Sequence, residues 1–73
     1  MAAFEEGTFV RVMAGDENHG KLGIVVKPRL SDPQPRDREV WVEIAAPGPW
    51  DGVFRVLYHI AQLRVAEELD RNG

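Results

Sequence analysis

GTFVRVMAGDENHGKLGIVVK, residues 7 to 27, is two apolar stretches joined by a glycine-punctuated polar loop. Phe9-Val10-Arg11-Val12-Met13 alternates with the two-residue period of a strand, which sets Val10 and Val12 on one face and Phe9, Arg11 and Met13 on the other. Gly15-Asp16-Glu17-Asn18-His19-Gly20 reads as a loop, because glycine reaches positive φ without steric cost and Asp and Asn bond their own backbone in turns. Gly23 stands just ahead of Ile24-Val25-Val26, where a bulge or a close backbone approach suits the start of a second strand. Pro28 has no N–H to give a ladder and ends that strand.

Beyond this unit the chain continues in short strands. Leu30 to Asp37, LSDPQPRD, holds two of the five prolines and predicts a loop longer than a tight hairpin turn, of the kind that is either functional or without fixed structure. Glu39 to Ala45 is the clearest strand: Val40, Val42 and Ile44 point one way, Glu39, Trp41 and Glu43 the other. Ala46 to Gly52 is rich in turn residues, and Asp51-Gly52 is a hairpin signal. Val53 to Tyr58 returns as a strand with Phe54 and Val56 directed inward. Two readings remain for the segment after it. Val56, Leu57, Ile60, Ala61 and Leu63 fit one helix face, whereas a single turn at His59–Gln62 followed by a closing strand Leu63–Ala66 also fits. The turn-plus-strand reading is preferred, because five short strands can close on themselves and leave no open edge.

The expected strands are therefore 8 to 13, 22 to 28, 39 to 45, 53 to 58 and 63 to 66. The expected core is Val10, Val12, Val25, Val40, Val42, Ile44, Phe54, Val56, Leu63 and Val65. Residues 1 to 6 are expected to be loose, with Phe4 able to tuck against the domain, residues 7 to 67 to form the barrel, and 68 to 73 a flexible tail.

Seventy-three residues make one domain near the lower limit of independent stability. With no cysteine, neither a disulfide nor a thiolate metal site can add to it. No apolar run approaches the roughly 20 residues of a membrane span, and MAAFEEG lacks the basic start and apolar core of a signal peptide, so a soluble cytoplasmic protein is expected. The formal charge of −3 opposes general attraction to nucleic acid. Charge is unevenly spread, however: Lys21, Lys27, Arg29, Arg36 and Arg38 outweigh Asp32 and Asp37 in the middle of the chain, while both ends are acidic.

Gly7, Val10, Val12, Gly15, Gly20, Gly23 and Val25 resemble the KOW pattern, a strand, glycine loop and strand found in SH3-like barrels of ribosomal proteins and transcription elongation factors. Phe54-Arg55-Val56 and Ile60-Ala61-Gln62-Leu63-Arg64-Val65 resemble other SH3-like barrels, including the small photosystem I subunit that docks ferredoxin, in which a 3₁₀ turn precedes the last strand. The resemblance implies a five-stranded SH3-like barrel over roughly residues 7 to 66. The glycine loop departs from the KOW spacing by one residue and is acidic at Asp16 and Glu17, where an RNA-contacting loop carries Lys or Arg. Fold does not carry function with it.

No catalytic constellation is legible. Ser31 and Thr8 are the only hydroxyl nucleophiles of their types, and Ser31 lies in the proline-rich loop away from a rigid scaffold. Asp16, Glu17 and His19 have metal-ligand chemistry but are neighbours on one loop without a second cluster, and His59 at the last turn reads as a residue satisfied by backbone. No enzyme activity, cofactor or metal is expected. Two features point outward. Trp41, opposite Val40 and Val42, is a binding anchor unless the long loop covers it, and Trp50 is a second anchor or a cap on the barrel end. If the long loop folds back toward Trp41, the basic stripe of Lys21, Lys27, Arg29, Arg36 and Arg38 suits an acidic protein partner or stacked bases; the other reading is an ordinary mobile charged loop. The expectation is a non-enzymatic interaction module or accessory subunit for a protein partner, with a KOW-like RNA- or DNA-binding domain as the alternative, no membrane association, and homodimerisation left open.

Overall fold

The computed structural model describes residues 4–45 and 52–66; Trp50 and its connector and the tail expected at 68 to 73 lie outside the described residues. The fold is all-β. Strands β1 (Phe9–Val12), β2 (Leu22–Val26), β3 (Glu39–Ala45), β4 (Val53–His59) and β5 (Leu63–Val65) form one antiparallel sheet in the order β4-β3-β2-β1-β5. The first four strands follow each other as a meander, and β5 returns to the free side of β1.

The ambiguous segment resolves as turn plus strand. Ile60–Gln62 is one turn of 3₁₀ helix, capped at both groups of its entry: the Ala61 N–H donates to His59 Nδ1 at 3.0 Å and the His59 N–H donates to Gln62 Oε1 at 3.0 Å. Leu63 is already extended, and Leu63-Arg64-Val65 pairs with Val12-Arg11-Val10. A continued helix would have left that side of β1 with unpaired backbone groups, and the ladder removes them. The turn is tied to the sheet by Met13 N–H to Gln62 O at 2.7 Å and Ile60 N–H to Arg38 O at 2.8 Å.

The inward face follows the two-residue alternation. Val10, Val12, Val25, Val42, Ile44 and Leu63 are buried as expected, with Phe4 packed against them from outside the sheet. Val40, Phe54, Val56 and Val65 are only half-buried, whereas Tyr58 and Ala66 are buried. Because β4 is an edge of the sheet, its inward residues are enclosed only near the 3₁₀ turn, where Tyr58 lies.

Glycines serve two different needs. Gly15 and Gly20 hold φ of 80° and 86° at the two ends of the loop between β1 and β2, a conformation open to glycine at little cost. Gly23 has no such φ. It sits in regular register opposite Val10 and Ile44, and a Cβ there would lie 2.5 Å from Val42 Cγ1 and 3.1 Å from the Glu43 carbonyl oxygen. Of the two sequence readings for Gly23, a bulge or a close approach, the close approach holds.

Candidate functional site

The outward face of the sheet is ordered in three rows by the strand register. Arg64, Arg11 and Leu22 form the first, Phe9, Ile24, Glu43 and Arg55 the second, and Val26, Trp41 and Leu57 the third. The loop between β2 and β3 folds back over the third row. It does so through Arg55, whose Nη1 donates to Asp32 Oδ2 at 2.7 Å while Nη2 donates to the Lys27 carbonyl at 3.1 Å. The same guanidinium lies over the Trp41 ring, 5.8 Å from its centroid, and the Trp41 indole N–H donates to the Pro33 carbonyl at 3.1 Å. Asp32 Oδ2 also accepts from the Arg29 N–H at 2.8 Å, closing a turn in the loop itself.

Three of these contacts share the one guanidinium of Arg55. The guanidinium is planar and donates from two sides, so it can bridge a carboxylate and a carbonyl while its face rests on an aromatic ring. Trp41 is thus half-buried beneath the loop, with its only polar group satisfied. Arg55→Met, which keeps the aliphatic stem but removes every donor, is expected to cost about 1 to 2 kcal/mol, the scale of a partly buried charge-assisted bond. It should also speed solvent exchange of the Trp41 indole proton at least tenfold, read in ¹⁵N spectra. Unchanged indole exchange would show that the loop is held by something other than Arg55.

With the loop held down, Lys27, Arg29, Arg36 and Arg38 are exposed, and none forms an ion pair among the described residues. Arg36 and Arg38 both belong to a turn closed by the Glu39 N–H to the Arg36 carbonyl at 3.0 Å, and by the Arg36 N–H to Glu39 Oε1 at 2.7 Å. Arg38 occupies this turn with φ of 68°, strained for a residue with a Cβ, and its carbonyl accepts from the 3₁₀ turn. The basic residues therefore stand on a defined backbone.

Asp16 and Asn18 of the glycine loop have partners across the fold. Asn18 is buried, its amide donating to Tyr58 Oη at 3.0 Å, and the Tyr58 hydroxyl donates in turn to Asp16 Oδ2 at 2.8 Å. Asp16 Oδ1 accepts from the Asn18 N–H at 2.9 Å. His19 Nδ1 accepts from the Gly15 N–H at 3.0 Å, and Arg11 Nη1 donates to the Gly20 carbonyl at 2.7 Å. Asp16 and His19 are engaged in fastening the loop, and among the described residues no three His, Asp or Glu side chains converge.

Burial pushes the Tyr58 hydroxyl above its usual value of 10.0, opposed by the Asn18 amide and reinforced by the Asp16 carboxylate. A raised native value means that the folded protein keeps this proton after the unfolded chain has released it. The contribution is complete below pH 10 and is lost as pH rises through the native value. Urea midpoints should accordingly fall as pH is taken above about 10, and Tyr58→Phe should flatten that fall while lowering the midpoint at neutral pH. An alkaline limb equally steep in the phenylalanine variant would remove Tyr58 as its origin.

Sequence reasoning placed Trp41 on the correct face but missed Arg55, Asp32 and Tyr58 as the groups that organise both loops. Arg55 carried a signal, since it is the one charged residue inside the apolar strand Val53–Tyr58. Asp32 and Asn18 carried none that separates them from ordinary turn residues. Comparison with known proteins finds no match: no family model, no curated protein and no solved structure matches this chain.

Proposed function

We propose that this chain is a non-enzymatic, cytoplasmic binding module with an SH3-like barrel, and that its basic β2–β3 loop receives an acidic segment of a protein partner. The observation that carries the reading is the fastening of that loop by Arg55, which leaves Lys27, Arg29, Arg36 and Arg38 exposed on an ordered backbone. Preorganised charge binds with less ordering cost than a mobile loop. The strand order and the 3₁₀ turn before β5 support the barrel.

Protein is favoured over nucleic acid on two grounds. The ring of Trp41 already carries Arg55 and lies beneath the loop, so it is a poor platform for bases, and the glycine loop has the acidic residues Asp16 and Glu17 where a KOW-like loop would carry cations. The test is a titration of ¹⁵N-labelled protein with an acidic peptide and, separately, with single-stranded RNA and DNA. The peptide should shift amides in residues 27 to 38, more weakly as salt rises. Localised, steeply salt-dependent shifts with an oligonucleotide but none with peptide would replace this reading by the KOW-like one. No shifts with any of them would end both.

A further inference from the structure

The loop covers only part of the outward face. What it leaves open is a shallow groove over Gly23, lined by Phe9, Leu22, Ile24, Glu43, Ala45 and Val53. Phe9 and Leu22 are 44 % exposed and Val53 is 56 % exposed. Single exposed apolar residues are ordinary, but here Phe9 and Leu22 stand on the adjoining strands β1 and β2, and Val53 on β4 opposite Ala45 of β3, all on one face.

Charge on the same face is laid out in an unusual way. Arg11 and Arg64 stand directly opposite each other on β1 and β5, a like-charged cross-strand pair that is destabilising by itself, and neither forms an ion pair among the described residues. Glu43 lies two strands away from Arg11, between Ile24 and Arg55. Arg55 gives Nη1 to Asp32, and Glu43 too is without an ion pair among the described residues. The face is thus an apolar strip with two guanidinium groups on one flank and a carboxylate on the other.

We infer that this face pairs two copies of the chain about a two-fold axis lying in the plane of contact and crossing β2. Such an axis makes every contact occur twice, residue i on residue j and j on i. Here it brings Glu43 of each copy to the Arg11–Arg64 pair of the other and stacks Phe9, Leu22 and Ile24 between the two sheets. The complement that the face requires is an apolar strip bearing a carboxylate and guanidinium groups in reversed order. The face itself is that complement, which commits the occupant to a second copy rather than to a foreign segment. The two charge clusters also relieve each other, since the partner's carboxylate offsets the repulsion between Arg11 and Arg64. The surface is separate from the basic loop, so binding of an acidic partner and pairing of copies can succeed or fail independently.

Sedimentation equilibrium of the full chain at rising concentration tests the proposal. The parent should approach twice the protomer mass of 8.2 kDa in the micromolar to millimolar range. Val53→Asp places a charge in the apolar strip at an exposed site, and it should raise the dimer dissociation constant at least tenfold with an unchanged melt of the diluted protein. Glu43→Arg should do the same, and adding Arg64→Glu to it should recover most of the lost affinity, because the exchanged charges meet again across the axis. A parent that stays monomeric throughout overturns the proposal. So does a dimer insensitive to Val53→Asp and Glu43→Arg, which would place the contact elsewhere, and so does a charge exchange that recovers nothing.

Discussion

Gly23→Val is expected to leave the chain largely unfolded at room temperature. The first added carbon would lie 2.5 Å from Val42 Cγ1, 3.1 Å from the Glu43 carbonyl oxygen and 3.2 Å from Ile44 Cγ1. Side chains can turn away, but the carbonyl belongs to the backbone of β3, the strand paired with β2, and moving it disturbs the ladder of which Gly23 and Ile44 are partners. Overpacking of a core costs about 1 to 3 kcal/mol and more where the backbone must shift. A domain of this size has only a few kcal/mol to lose. Circular dichroism and urea unfolding read the result. A variant that melts like the parent would mean that β2 does not approach β3 with Gly23 facing Val42, and the register of the central strands would have to be redrawn.

Val42→Ala is expected to have the second largest effect, about 1 to 3 kcal/mol, by removing two methyl groups from a fully buried site. Val42 lies in the middle of β3, paired with Val25 on one side and Val56 on the other, where neighbours cannot collapse without bending the sheet. The two sites are also coupled. Val42 Cγ1 is the nearest atom to a carbon added at position 23, so Gly23→Ala should cost less in the Val42→Ala background than in the parent. A double-mutant cycle by urea unfolding should give a coupling of about 0.5 to 3 kcal/mol, as expected for residues in contact. Strict additivity would show that the carbonyl of Glu43, and not the side chain of Val42, sets the limit on position 23.

How much of this was legible beforehand varies by element. The alternation of Val10 and Val12, and of Val42 and Ile44, is a period-two signal that holds in any sheet with one covered face, so strands and inward residues followed from it. Phe54 and Val56 carry the same signal but are only half-buried, because burial depends on what lies opposite, and an edge strand has less opposite it. Tyr58 was placed on the strand but not in the core. Its hydroxyl is tolerated there because Asn18 and Asp16, forty and forty-two residues earlier, meet it across the fold.

The candidate site divides along the same line. That Trp41 faces away from Val42 is decided by strand geometry alone. That it lies beneath Pro33 and Arg55 is not, because a loop closes wherever its few specific bonds form, and nothing local in LSDPQPRD singles out Asp32 as the partner of an arginine twenty-three residues later. The exposed basic residues could be counted from the chain, but their placement on a fastened backbone could not.

By itself, then, the sequence determined a small β domain, the positions of its five strands, the inward alternation and the need for glycine at positions 15 and 20, because each of these rests on interactions within a strand or a turn; the need for glycine at position 23 comes from the close approach of β3. Only the tertiary structure decided that β5 pairs with β1, that Arg55 fastens the basic loop, that Asp16 and Asn18 serve Tyr58, and that Arg11, Arg64 and Glu43 share one apolar face. Those are contacts between residues distant in the chain, and a side chain's neighbours across strands are set by register, which no local pattern contains.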